Sequence, residues 1–363
     1  MLNRRWRLVC CVILIAVCTS AAFGQSTHAD IPIGVKSETV AYTPGWGGIQ
    51  LVKVTVNRTQ TATFAFDSGT NRSLISDTLV KRLKLKSSPA LSSSGVPMDQ
   101  IEPGKPTQSV LLSPVVIGHL SFVNSAFMVV DAKRFSATFG RSVDGVLGAN
   151  VAAKCPMLLD FQKHQLTFFF RHSLSPDDLR KIGMGDAVSV SVRDVDKNSH
   201  YKFPIKVTNG SNSAEGEMML DTGSDQTYIS GILANQLHLK PQSHGPVSTF
   251  YGPIATSDAT VSSLQFGEIT LTDFPVNYVD EPKIVSTFNN NVLGLEVLSR
   301  FQVLLDYPDG KIYFRLSPVE AAPPPTTNAR PGLAPARLLE SLPKRHGPAK
   351  DTNDGTKADT QRP

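Results

Sequence analysis

The stretch MLDTGSDQTYIS, residues 219–230, runs apolar into a carboxylate at Asp221 and places Gly223 two positions on. A lone carboxylate at the end of a buried strand is costly and tends to take up a proton. The same arrangement stands 154 positions earlier in FAFDSGTNRSLIS, residues 64–76, where Asp67 is followed by Gly69. In both, an apolar strand delivers the Asp, a hydroxyl residue follows, and the Gly allows a tight backbone turn.

The repeat extends well beyond these stretches. Val146-Leu147-Gly148 matches Val292-Leu293-Gly294, and LLDF (158–161) matches LLDY (304–307). The offset is 154 for the Asp residues and 146 for the two later motifs, so order is kept with a small change in spacing. Two copies of so long a period form a duplicated lobe, whereas a solenoid stacks at least three short repeats. Strand-length runs recur at IQLVKVTVN (49–57), TATFAFD (61–67), SVLLSPVVIG (109–118) and AVSVSVRDV (187–195). They are bounded by Gly, Pro, Asn and Ser, which predicts a mainly β chain. Short helices are predicted at SDTLVKRLKL (76–85) and SGILANQLHL (230–239), each opened by a Ser suited to cap the first turn.

The 363 residues suffice for two lobes of ordinary size. Residues 1–24 read as a cleaved signal peptide: a basic start, a short apolar run, and small residues at Ala22 and Gly24. Lobes are expected at 25–172 and 187–316, joined by a polar linker at 173–186. The segment 317–363, rich in Pro and Ala, reads as a disordered tail. Three of the four cysteines lie in the signal segment, which leaves Cys155 as a core thiol and no intrachain disulfide. The formal charge of +5 is spread thinly, without the basic stripe and interleaved aromatics that nucleic acid would call for.

Two carboxylates brought together by a pseudo-twofold axis can share one proton, because like charges roughly 3 Å apart cannot both ionise. One then serves as base and the other as acid. A water between them can be deprotonated and aimed at a carbonyl whose oxygen the partner protonates. That is amide hydrolysis needing neither metal nor cofactor.

On these motifs, over roughly residues 45–316, the chain resembles the bilobal aspartic proteases of the pepsin and retropepsin superfamily, each half being similar to the small retropepsin-like domain of bacterial proteins. The resemblance implies an all-β acid-protease fold, with two pseudo-twofold-related, β-barrel-like lobes and the active site between them. It implies Asp67 and Asp221 as the catalytic dyad, and Ser68 and Thr222 as hydroxyls interlocking the two Asp loops. Gly69 and Gly223 would make the turns, while Thr70 and Ser224 would offer hydroxyls to the carboxylates. Gly148 and Gly294 would let the preceding strands pack beside the Asp loops. Members of the pepsin type close over substrate with a hairpin flap carrying a Tyr. The corresponding stretch here, about 87–110, has none, and Tyr251 of the second lobe is the alternative for contacting substrate.

The implied function is an exported, secreted or periplasmic endopeptidase acting on peptide or protein substrates as a monomer, touching membrane only through an uncleaved signal segment. A non-catalytic protein that binds peptide or cell-wall material in a protease-like cleft is the alternative. Pairing of lobes between chains would give a homodimer, although the linker is long enough for pairing within one chain. Asp160 and Asp306 lead into hairpins and read as structural. DVDKNS (194–199) lacks the Gly and Glu of a calcium loop, GMGDAV (183–188) lacks the third Gly of a dinucleotide loop, and SHYK (199–202) lacks the companion motifs of a Ser-x-x-Lys site. The eight His show no metal-ligand spacing.

Overall fold

A computed structural model describes residues 28–30, 37–91, 108–139, 141–195, 201–249, 252–279, 290–317 and 337–338. The first half is built around a hairpin of Gln50–Val56 and Gln60–Phe66, buried on alternate positions towards the turn and on both faces at the end near Asp67, whose turn places Asn57 and Arg58 at positive φ. That hairpin ends at Asp67. The chain then returns through the strand Leu74–Ser76, and Gly145–Leu147 inserts between the two arms, parallel to Gln60–Phe66 and antiparallel to Leu74–Ser76. In the second half Asn291–Leu293 inserts likewise between Asn212–Leu220 and Tyr228–Ile229. The registers correspond, Leu147 opposite Phe66 and Leu293 opposite Leu220. Each Asp loop is therefore clasped by strands on both sides.

Two large sheets, of eleven and nine strands, belong to the first and second halves respectively. A third, six-stranded sheet takes three strands from each: Val188–Ser191, Lys311–Leu316, Phe301–Asp306, Met157–Asp160, Gln165–Phe169 and Ser37–Ala41, in that order. At its centre Met157–Asp160 pairs antiparallel with Phe301–Asp306, and Leu158 faces Leu304, its own equivalent in the repeat. An antiparallel pair in which equivalent residues face each other has its twofold at that pair, so the pseudo-twofold of the duplication passes there. The bilobal, all-β architecture expected from the motifs is the one observed. This shared sheet was not anticipated, although LLDF and LLDY are its two central strands.

The predicted helices form as Asp77–Arg82 and Gly231–Gln236, with the hydroxyls of Ser76 and Ser230 accepting the Leu79 and Leu233 amides at 3.1 and 3.2 Å. The expected strand 109–118 divides at Ser113-Pro114 into Gln108–Leu112 and Val115–Ile117. Residues 187–195 divide at Val192. The helix Ala132–Phe139 was missed, and its signal was the four-residue spacing of Phe135 and Phe139, both buried.

The polar stretch expected to join the lobes, 173–186, is itself packed structure. Ser175 and Asp178 form a reciprocal capping box that opens the helix Pro176–Lys181. Leu174 and Met184 on either side are buried against Phe169, Leu304 and Tyr313, forming a small second core on the shared sheet. Its sequence signal was SPDD (175–178), a capping pattern with Pro at the first helical position. Within the tail, Arg337–Leu338 pairs with Leu271 and Thr272, and Ser317 is also described; the rest of 317–363, like the signal segment 1–24, lies outside the described residues. No helix among the described residues is long and apolar enough to cross a membrane.

Candidate active site

Each Asp sits where its strand ends, and its amide is held by the inserted strand: Asp67 N–H donates to Leu147 O and Asp221 N–H to Leu293 O, both at 3.0 Å. The loops then curl so that their own amides face the carboxylates. Gly69 N–H and Thr70 N–H donate to Asp67 Oδ1 at 2.9 and 3.1 Å. Gly223 N–H donates to Asp221 Oδ1 at 2.8 Å, and the Ser224 amide adds a second donor. The Gly residues are required by the opposite lobe as much as by their own turns. A Cβ on Gly223 would stand 2.5 Å from Asp67 Cγ, and one on Gly69 would overlap the Asp221 carboxyl.

Four hydrogen bonds knit the loops together across the pseudo-twofold. Ser68 N–H donates to Thr222 Oγ1 at 3.1 Å and Thr222 N–H to Ser68 Oγ at 3.1 Å. Ser68 Oγ donates to Leu220 O at 2.9 Å, and Thr222 Oγ1 to Phe66 O at 3.2 Å. Both side chains are buried, Thr222 fully. The interlock expected of Ser68 and Thr222 is thus present in geometry.

The carboxyls of Asp67 and Asp221 hydrogen-bond to each other. Burial, the largest influence, raises both pKa values. Asp221 is pushed far higher, because the Asp67 charge adds to burial, whereas the hydrogen bond from Asp221 and the Gly69 and Thr70 amides favour a charged Asp67. Both carboxyls are thus disposed to hold a proton, the Asp221 side more strongly, and charges so close favour one proton for the pair.

Thr70 and Ser224 differ from expectation. Their hydroxyls donate to Arg72 O (3.3 Å) and Gln226 O (2.8 Å), bracing the loop backbone instead of the carboxylates. A turn whose amides already point at the Asp leaves the hydroxyls to the carbonyls left over. Gly148 and Gly294 lie against the loops as expected. A Cβ on Gly148 would come within 2.8 Å of Thr70 O, and one on Gly294 would overlap Gln226 O. Gly294→Ala should lower the melting temperature by about 5 °C or more and cut kcat, because its obstacle is backbone that cannot rotate away; a thermal melt with a steady-state assay checks this, and wild-type values for both would contradict the packing.

Sequence reasoning missed the residues behind these glycines. Ser73 Oγ accepts Gly148 N–H at 3.1 Å, and Thr227 Oγ1 accepts Gly294 N–H at 3.2 Å. The signal was a hydroxyl six residues after each Asp. Asp160 and Asp306 are structural: Asp160 accepts Lys163 N–H (2.9 Å) and Gln302 Nε2–H (2.7 Å), and Asp306 accepts Leu174 N–H (3.2 Å). Cys155 is buried and its thiol is pushed up to about 12 by burial, which keeps it protonated and inert. No group of three or more potential metal ligands exists among the described residues. Tyr251 and most of the flap stretch, 92–107, lie outside the described residues.

No curated protein matches the chain. A family profile described as Aspartyl protease matches it twice, at residues 52–151 and 204–297, one copy in each lobe and together more than half of the sequence. With two such matches, each containing one Asp of the interlocked pair, the chain belongs to the aspartyl protease family.

Proposed function

We propose that the protein is an exported aspartic endopeptidase whose dyad is Asp67 and Asp221, both contributed by one chain. The observation that carries this reading is the placement of two carboxyls side by side on interlocked loops, each against the glycine of the opposite loop, an arrangement in which one proton is shared. Asp67 takes a proton from a water held between the carboxyls, and the water oxygen bonds to the scissile carbonyl carbon. Asp221 gives its proton to the carbonyl oxygen, producing a neutral gem-diol. Collapse breaks the C–N bond as the amine nitrogen is protonated from Asp67 and a diol hydroxyl returns its proton to Asp221, so the starting state is regenerated. The loop amides and the four cross-lobe bonds hold both acids in place without reorganisation during the reaction.

Export is supported by the signal-like pattern of residues 1–24, and the substrate by the family, whose members act on peptides. Secretion or the periplasm is the corresponding location, and a monomer is the state in which a single chain supplies both half-sites. The test is cleavage of a diverse peptide library by the mature chain from about pH 3 to 7, with and without a statine-type mimic of the gem-diol. Cleavage on the acid side, blocked by the mimic, is expected. Silence across the whole range, or cleavage indifferent to the mimic, would refute the reading and favour a peptide-binding cleft.

A further inference from the structure

The duplication puts Asn150 and Glu296 at equivalent places, two residues after Gly148 and Gly294. In the first lobe Asn150 Oδ1 accepts the Ser73 hydroxyl at 3.0 Å. In the second, Glu296 Oε1 accepts Thr227 N–H at 2.7 Å. Around it the start of the helix Leu295–Leu298 grips the Asp221 loop: Leu295 N–H donates to Ser224 O (2.8 Å), Glu296 N–H to Asp225 O (3.2 Å), and Gly294 N–H to Thr227 Oγ1 (3.2 Å). Three residues of the loop that presents Asp221 are therefore fastened at the place where one lobe has an amide and the other an ionisable acid.

We propose that Glu296 is a positioning residue of the Asp221 loop, holding the loop closed when protonated and weakening that hold when ionised, a pH-dependent element that the first lobe lacks. The proposal rests on the protease reading for its effect on turnover, and on geometry alone for its effect on the loop. The charged and titratable groups facing Glu296 are Asp225 on the Asp221 loop, Tyr228 on the following strand and Arg300 just beyond the helix. Arg300 directs its Nε–H to the Glu296 backbone oxygen at 3.2 Å. Asp225 is itself raised by burial, and Tyr228 is raised by burial with Asp225, Glu296, Asp221 and Asp258 adding to it. Desolvation of this partly buried side chain is the largest influence on Glu296 and, with Asp225, pushes it up to about 7, against the opposing pull of Thr227 and Arg300.

The direction follows from linkage. Below pH 4.5, the ordinary value for the side chain, Glu296 is neutral whether the loop is closed or open. Between there and about 7 the closed form keeps a proton that the open form has shed, so closure weakens with rising pH, and above that window the loss is complete. Closing the Asp221 loop is thus favoured on the acid side, where cleavage by the proposed dyad is also expected.

Glu296→Gln keeps the oxygen that accepts Thr227 N–H and cannot ionise. Thermal melts and kcat of the full chain should be followed from about pH 4.5 to 8 for wild type and variant. We expect wild type to lose about 5 °C more than the variant across that range. The variant's kcat profile, scaled to its own maximum, should extend upward by about one pH unit with KM little changed. Melting differences that coincide overturn the proposal whether or not the protein cleaves peptide, and coincident kcat profiles overturn its catalytic half. A melting difference in a protein without any peptidase activity supports the hold on the loop and refutes the protease reading. Hydrogen exchange at the wild-type Thr227 amide, corrected for intrinsic rate, needs no variant: protection that falls as pH rises supports the proposal, and flat protection overturns it.

Discussion

Asp221→Asn protein should cleave peptides at least about 10³-fold more slowly than wild type, and yet melt at or above the wild-type temperature at pH 7. The two effects have one cause. In the proposed dyad Asp221 carries the shared proton, since burial and the adjacent Asp67 charge raise its pKa well above the ordinary value. A group raised on folding contributes its stability below its unfolded pKa and loses it as pH rises through its folded one. Each tenfold increase in proton affinity corresponds to about 1.4 kcal/mol, so at pH 7 the wild-type pair burdens the fold. The substituted amide has the shape of the protonated acid and can still donate to Asp67, but it has no proton to give to a carbonyl oxygen. The gain in melting temperature should vanish towards pH 3 to 4, where Asp221 of the unfolded chain, with its ordinary value of 3.8, is protonated as well.

Asp67→Asn should be equally inactive for the complementary reason, since the one carboxyl left cannot be base to the water and acid to the carbonyl oxygen at once. It should also bring the Asp221 pKa down, because the charge that adds to burial is gone. Turnover within about tenfold of wild type in either variant would refute the dyad. A loss of stability of equal size at pH 4 and pH 7 would show that Asp221 acts as an ordinary structural hydrogen-bonding group.

Most of this was legible because chemistry and duplication coincide in the chain. Asp67 and Asp221 each follow an apolar strand, and a carboxylate in that position makes physical sense only beside a partner. Ser76 and Ser230 announced their helices, since a capping hydroxyl acts on amides three residues away. The errors arose where an interaction spans the chain. Leu158 and Leu304 look like ordinary apolar strand residues, and nothing local says that they pair with each other across the axis. Thr70 and Ser224 carry hydroxyls beside an Asp, but which acceptor each finds depends on where the loop's own amides point. Leu174 and Met184 stand among polar residues that read as linker, and only the Phe169, Leu304 and Tyr313 cluster explains their burial.

Thr222→Val should lower the melting temperature by about 5–15 °C and kcat by about tenfold or more, whereas Thr222→Ser should stay near wild type in both. Val has the shape of Thr without the hydroxyl, so the fully buried site gains no cavity. It leaves Ser68 N–H without its acceptor and Phe66 O without its donor, both shut away from water. Each unpaired buried group costs about 1–3 kcal/mol. The protein already shows that the smaller hydroxyl residue suffices, because Ser68 makes the mirror-image pair of bonds in the first lobe. Activity falls along with stability because Ser68 and Thr222 directly follow the two acids, and slack between them alters the spacing on which the shared proton depends. Since the four bonds form one ring about the axis, Ser68→Ala and Thr222→Val should be non-additive, with a coupling of at least about 1 kcal/mol in a double-mutant cycle. Strict additivity, or a Val variant of full activity, would mean that the lobes are held in register by the six-stranded sheet alone.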